Sequence, residues 1–342
     1  MGVTSQQHRG ASSQQHGTDV LVVVTGGTTG WGAAARELSV NLAGAGARVE
    51  LVSTGPTPQV RTFMLTDLTQ AWMARAATRR AIAAHHPAAI VYCSITAALL
   101  WPRPGAVWLD AIAAENRPGR HGVWQRIMER RRLAQAPLIM TMAPNSLESL
   151  RGRPHADTVE VPVAIERSGQ PAGERDVDVL AYTGDPVKRR LDLILAAWER
   201  ARRSGETLVV AGLPSAEEIP GVRFVGRLEP AAYRELLRRA RVFVTAPRRE
   251  DFGIAALEAL ADGCLLVTTP SPGPYPALGL ARQLDPRLVS EDLAPALRTA
   301  LDDPAEGYAA RARELLAPFG RAAVQETLAR RALPRLLPGW KP

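Results

Sequence analysis

Residues 242–267 run through an apolar strand, a charged turn, a short stretch of helix formers and a second apolar strand: Val-Phe-Val-Thr-Ala-Pro-Arg-Arg-Glu-Asp-Phe-Gly-Ile-Ala-Ala-Leu-Glu-Ala-Leu-Ala-Asp-Gly-Cys-Leu-Leu-Val. A strand, turn, helix and strand in this order is a unit of an α/β layer. Glu250 and Glu258 stand eight positions apart, with Gly253 between them and Gly263 ending the helix. At 1.5 Å of rise per residue, a helix starting near Gly253 separates the two carboxylates by roughly 12 Å or less along its axis, about the length of a sugar diphosphate. The helix start leaves backbone N–H groups unpaired and carries a partial positive charge, so an anion can sit there, and Gly253 lets it approach closely. The spacing is equally compatible with a plain strand-turn-helix unit bearing two solvated acids.

Glu250-x7-Glu258, with Phe252-Gly253-Ile254 and Leu257-Glu258-Ala259, resembles the signature of retaining GT-B glycosyltransferases of family 4. The resemblance implies that Glu250 contacts the hydroxyls of a donor sugar and Glu258 the ribose of its nucleotide, with the backbone of Phe252, Gly253 and Ile254 near sugar and phosphate. Upstream, Leu180–Trp198 reads as strand, basic loop and amphipathic helix. Similar enzymes hold the donor diphosphate with a basic pair in this loop, which neutralises charge on the leaving group in the transition state. The matching residues are Lys188 and Arg189, beside Gly184. The chain has only two lysines, Lys188 and Lys341, and a compact ammonium suits a phosphate. Without the neighbouring motif, Lys188 to Arg190 would read as a solvated helix start. Short strands at Thr207–Gly212 and Val222–Arg227 and a helix Ala231–Arg241 complete a βαβαβ order. By the same resemblance, Val225 offers backbone groups to the nucleotide base. The segment Thr269–Pro276 departs from the family pattern and leaves that part of the donor pocket unspecified.

The N-terminal half opens with a strand, Asp19–Val24, the glycine-rich Thr25-Gly-Gly-Thr-Thr-Gly-Trp-Gly32 and a helix Ala33–Gly44. Thr25-Gly26-x3-Gly30-x-Gly32 also matches the nucleotide loop of short-chain dehydrogenases, where a glycine loop between strand and helix cradles pyrophosphate. Those enzymes move a proton with Tyr-x3-Lys, and the positions four before the two lysines hold Gly184 and Leu337. In similar glycosyltransferases this loop lines the interdomain cleft, which makes Gly30 and Gly32 acceptor-side candidates. Further strands are expected at Val49–Ser53, Thr62–Leu65, Ala89–Cys93, Ala106–Leu109, Leu138–Met142 and Val159–Val163, with a helix over Asp67–His85. Similar enzymes often place a histidine after the strand that here reads Ala106-Val-Trp-Leu-Asp110. Asp110 stands there instead, as a sugar contact, a general base or a helix cap. His121 approaches the same cleft from a glycine-flanked loop or lies on the surface.

The 342 residues, 46% of them hydrophobic, fill two α/β cores. The expected division is a polar disordered tail over 1–18, an acceptor-side Rossmann-like domain over 19–168, a linker over 169–177, a nucleotide-sugar domain over 178–315, and a C-terminal helix over 316–342 that crosses back to the first domain. Cys93 and Cys264 lie in apolar surroundings and fit a reducing cytoplasm. No apolar run approaches the ~20 residues of a membrane span. The net charge of +8 is arginine spread over many helices without aromatic interleaving or a known nucleic-acid module, which argues against nucleic acid. The stretch Arg117–Arg132 places Trp124, Ile127 and Met128 amid arginines, as an interface with anionic lipid or as a helix packing inward. Asp176-Val-Asp178 spells an Asp-x-Asp metal motif at a linker's end. The expected chemistry is transfer from a nucleotide-diphosphate sugar to a hydroxyl acceptor, with no metal or other cofactor. A non-catalytic relative that binds nucleotide is the alternative.

Overall fold

The computed structural model describes residues 17–26, 29–56, 63–117, 119–150, 156–170, 175–214 and 218–341. Among these residues the strands form two parallel sheets. The first takes β1 (Val20–Val24), β2 (Val49–Ser53), β3 (Ala89–Cys93), β4 (Ala106–Leu109), β5 (Leu138–Thr141) and β6 (Asp157–Glu160) in the spatial order β2-β1-β3-β4-β5-β6. The second takes β7 (Val177–Tyr182), β8 (Leu208–Ala211), β9 (Val222–Gly226), β10 (Ala240–Thr245) and β11 (Leu265–Thr268) in the order β11-β10-β7-β8-β9. Parallel sheets are covered on both faces, and the inner strands β1, β3, β4, β5 and β8 are accordingly apolar and buried, whereas the edge strand β6 reads Asp-Thr-Val-Glu with only Val159 buried. In β1, Val20, Val22 and Val24 point into one core while Leu21 and Val23 point into the other.

Helices α1 (Thr29–Gly44), α2 (Phe63–His85), α3 (Ile95–Ala98), α4 (Ala113–Asn116) and α5 (Val123–Gln135) serve the first sheet. The second is served by α6 (Leu191–Ala201), α7 (Pro230–Arg239), α8 (Ile254–Ala261), α9 (Pro276–Leu284), α10 (Leu293–Asp302) and α11 (Tyr308–Leu315), and the chain closes with α12 (Arg321–Thr327) and α13 (Leu333–Leu336). The last helices contact elements of the first sheet: Arg321 pairs with Glu37 of α1 at 2.8 Å, and Arg335 with Asp157 of β6 at 2.9 Å. Where this return path meets the outgoing connection, Ile165 N–H donates to Phe319 O at 2.8 Å and Arg321 N–H to Glu166 Oε1 at 2.5 Å.

Several expectations need correction. Phe63–Leu65 are not strand but the first turn of α2, because a short apolar run reads alike in either state. Gly30 and Gly32 are not in a loop; they lie in the first turn of α1, and an added Cβ at Gly30 would meet nothing within 4 Å. The strand expected over Val159–Val163 is β6, which ends at Glu160, and Val161 to Val163 continue as buried irregular chain. The tail 1–18 falls almost wholly outside the described residues, as do Gly27, Thr28 and much of the 169–177 linker.

In a doubly wound sheet, the crevice lies at the carboxyl ends of the strands where the winding reverses. In the second sheet that point is between β7 and β10, whose following segments are 183–190 and 246–253. These are the segments that carry Lys188, Arg189, Glu250 and Gly253.

Candidate active site

The loop after β7 is shaped by its own side chains. Asp185 Oδ1 accepts the N–H groups of Val187 at 3.1 Å and Lys188 at 2.9 Å, which curls the chain into α6. Arg190, at φ 47°, flanks the start of α6, and its guanidinium donates to Ala246 O at 2.7 Å and Thr269 Oγ1 at 2.8 Å. Arg190 is therefore a staple between the two crevice loops. Arg189 forms an ion pair with Glu250, which is itself buried. Lys188 is exposed and, among the described residues, its ammonium has no ion-pair partner. Its charge acts instead on Asp110 and Asp251. Of the three basic residues, Arg189 and Arg190 are thus held by protein groups and Lys188 is the exposed one.

Glu250 is held from behind. Its N–H donates to Pro272 O at 3.0 Å, and Tyr275, fully buried with its hydroxyl 3.2 Å from Thr268 Oγ1, fills the space beneath. Gly273, at φ 112°, brings its chain so close to the Glu250 carbonyl that a Cβ would collide with it. The segment Thr269–Pro276, unspecified by the sequence, is thus the wall that positions Glu250. Gly253 has φ 82° and begins α8; a Cβ there would stand 2.7 Å from Tyr275 Cε2 and 3.2 Å from Glu250 Cγ. Only glycine combines that φ with that space. Phe252 turns into the core against Phe319, with ring centroids 6.2 Å apart. Ile254 is half-buried at the first turn of α8.

Glu258 lies one turn further along α8 and pairs with Arg234 of α7 at 2.8 Å. The same guanidinium bonds the buried Asp262 at 2.9 Å. Burial raises the Glu258 carboxyl above its usual range against the opposing pull of Arg234. Close by, the Tyr233 hydroxyl is buried without a hydrogen-bond partner among the described residues, and the ring meets Tyr182 at 5.5 Å. Tyr182 Oη in turn lies 2.9 Å from where a Gly184 Cβ would stand. The ends of β7, β8 and β9 are tied by Thr183 N–H to Ala211 O and Gly212 N–H to Gly226 O, both 2.8 Å, which sets Val225 at the rim of this sheet end.

From the first sheet, Asp110 follows β4 and faces this crevice. Its Oδ1 accepts the N–H of the next residue, Ala111, at 2.8 Å, and it does not cap α4, whose flanking residue is Ile112. Burial, reinforced by the negative charge of Asp251 and opposed by Lys188, raises its carboxyl to about 7. A group that changes charge near neutrality, opposite a cation and a carboxylate of the other sheet, suits contact with a hydroxyl. One bridge across the crevice had no signal in the sequence: Arg249 pairs with Glu115 of α4 on the far side and with Asp251 on its own, the latter at 2.7 Å. These partners are 134 positions apart, so no local pattern could announce them.

Among the acceptor-side candidates, Trp31 between Gly30 and Gly32 meets the Trp108 ring of β4 edge-on at 5.8 Å, so this turn is packed onto the sheet. The side chain of His121 lies outside the described residues. A cavity of about 330 Å³ lies between Ile112, Ala114, α5 residues Arg126, Glu129 and Arg130, and Ser149 and Leu150. The Asp-x-Asp carboxylates are committed elsewhere, Asp176 to Arg239 and Asp178 to Arg241 and Thr207 N–H.

Two parallel α/β sheets facing each other across a crevice, joined by a helix that crosses back, define the GT-B class of architecture. Comparisons agree. Residues 178–303 match the family model of the glycosyl transferases group 1. Glycogen synthase of Mycobacterium tuberculosis is 36% identical over 127 residues, covering 32% of this chain and 30% of that enzyme, so the chain aligns with about a third of this relative's length. The fold resembles that of WaaG, a glycosyltransferase involved in lipopolysaccharide biosynthesis (TM-score 0.68, 14% identity, 94% of this chain and 100% of that one). It also resembles sucrose-phosphate synthase from Thermosynechococcus elongatus (TM-score 0.66, 16% identity, 92% and 96%). At those identities the likeness concerns the fold.

Proposed function

We propose that the chain is a retaining family 4 glycosyltransferase that moves a sugar from a nucleotide-diphosphate sugar to a hydroxyl acceptor in carbohydrate biosynthesis. The observation that carries this reading is the meeting, at one switch point, of Glu250, the exposed Lys188 and the N–H groups opening α8 at Gly253, with Asp110 opposite. The match of residues 178–303 to the group 1 family model supports it from a separate direction.

In this proposal the diphosphate sits on the start of α8 and on Lys188, where the helix dipole and the ammonium stabilise charge on the departing phosphate. Arg189 exchanges its pairing with Glu250 for the diphosphate, and the released Glu250 accepts hydrogen bonds from the sugar. Glu258, beside Arg234, takes the ribose; Val225 and Gly184 line the base and ribose side. Asp110 contacts the sugar or steers the acceptor, which enters past Gly30 and Gly32. The acceptor hydroxyl attacks from the face the nucleotide leaves, the bond from anomeric carbon to phosphate oxygen breaks, and the departing oxygen takes the hydroxyl proton. Nothing in the scheme calls for a metal or another cofactor. Closing the crevice excludes water and limits hydrolysis of the donor. The two buried thiols suit a reducing cytoplasm as the site of action.

The test is to incubate the protein with each nucleotide sugar and a pool of acceptors and to follow both nucleoside diphosphate release and the anomeric configuration of the product. Release with retained configuration is expected; inversion would overturn the mechanism, and absence of release with every donor would overturn the activity.

A further inference from the structure

The outward faces of α2 and α5 leave large apolar side chains in solvent. On α2 these are Leu65, Leu68 and Trp72, the last 67% exposed; on α5 they are Val123 and Ile127, the latter 56% exposed. Positions 65, 68 and 72 fall on one stripe of a helix, as do 123 and 127. The inward face of α5 is different from the one its sequence suggested: Trp124 and Met128 pack on the core, while Ile127 points out.

The two stripes belong to one surface. Both helices follow strands of the same parallel sheet and pack on the same core, so they run in the same direction and begin at the same carboxyl edge. Their first turns are bonded together through the buried Asp67, which accepts from Gln125 of α5 and, at 3.1 Å, from Arg117. That edge is the one from which Asp110 faces the crevice.

Among the described residues of α2 and α5, the exposed charge has one sign. Arg120, Arg130 and Arg131 are exposed beside Val123 and Ile127, and Arg79 and Arg80 continue α2 beyond Trp72. The acids of these helices, Asp67 and Glu129, are both buried, so neither offers a carboxylate outward. We propose that this rim is a docking surface for an anionic lipid bilayer, with Leu68, Trp72, Val123 and Ile127 entering the headgroup boundary and the arginines meeting the lipid phosphates. An exposed tryptophan suits that boundary, and basic residues near an anionic surface add to apolar insertion. A second copy of the chain suits it poorly, because a two-fold contact through this patch sets the arginines against their own copies. Docking here would present the acceptor side of the crevice to the membrane, a consequence that rests on the transfer reading; the docking itself does not.

The experiment is flotation of the full chain with vesicles rich in phosphatidylglycerol and with vesicles of pure phosphatidylcholine, at low and high salt. The chain is expected to float with the anionic vesicles, less so at high salt. The triple variant Leu68→Ser, Trp72→Ser, Ile127→Ser is expected to lose about tenfold or more in partition, with its melting temperature and its nucleotide-induced shift kept. Arg130→Glu with Arg131→Glu is expected to remove the preference for anionic lipid. No flotation of the parent, equal flotation of the triple variant, or a parent dimer that the triple variant dissolves in the absence of lipid binding would each overturn the proposal. Because the nucleotide shift is read on the same protein, loss of docking and loss of the transferase reading are told apart.

Discussion

Glu250, Glu258 and Asp110 are three carboxylates with three environments, and each predicts a different response. Glu250 is buried against Arg189 and aimed at the crevice, so Glu250→Ala is expected to lower the rate of transfer by about 10²-fold or more, with nucleotide affinity little changed. Glu258 stands away from the proposed sugar position beside Arg234, so Glu258→Ala is expected to weaken nucleoside diphosphate binding by roughly tenfold, measured by calorimetry. Asp110 has a folded-state value near 7, above the ordinary 3.8, so the fold carries a charged, poorly solvated carboxylate only at higher pH. The contribution of the neutral group is present in full at low pH and is lost as pH rises through about 7. Melting curves of the parent and Asp110→Asn are therefore expected to diverge in favour of the variant between about pH 4 and 7 and to run in parallel above that. A constant difference across the range would contradict the desolvation of the Asp110 carboxyl. The residue types were legible in the sequence because Glu250-x7-Glu258 is a local pattern. The pairing of Arg189 with Glu250 and the retirement of Arg190 to the loop carbonyls were not, since they depend on where β7 and β10 lie side by side.

At the scale of elements, the strand-turn-helix around Gly253 is the part most dependent on one residue. Gly253→Ala forces an L side chain to φ 82° and against the Tyr275 ring, and is expected to cost about 1–3 kcal/mol of stability and to displace the Glu250 loop. Chemical denaturation measures the first effect and nucleotide binding the second. Most strands were readable because parallel, doubly covered strands are apolar runs closed by glycine or polar turns. The misread segments were those where apolar character says nothing of the period: Phe63–Leu65 joined α2, and Val161–Val163 left β6 to become buried connecting chain. The glycines at 30 and 32 suggested a loop, yet the described backbone coils into α1 from Thr29 onward. The wall at 269–276 had no family pattern to follow, and its role behind Glu250 emerges only from the contacts of Gly273 and Tyr275.

For the whole molecule, the two halves meet at a pair of crossings near Ile165–Glu166 and Phe319–Arg321, and at the Glu115–Arg249 bridge across the crevice. The crossings form a natural pivot and the bridge a clasp. Removing the clasp with Glu115→Gln is expected to widen the unliganded particle in small-angle scattering, while bound donor returns it to the parental dimensions; an unchanged radius in both states would argue against closure about this pivot. A nucleoside diphosphate and its sugar are expected to bind at the β7–β10 switch point. Thermal-shift measurement against UDP, GDP, ADP, dTDP, their sugar conjugates and NAD(P), on the parent and Glu258→Ala, tests it most directly, because a ligand that binds the native state raises its apparent stability. One nucleoside diphosphate and its sugar are expected to stabilise the parent, and the variant much less. Stabilisation by NAD(P) alone, or an undiminished nucleotide shift in Glu258→Ala, would contradict it.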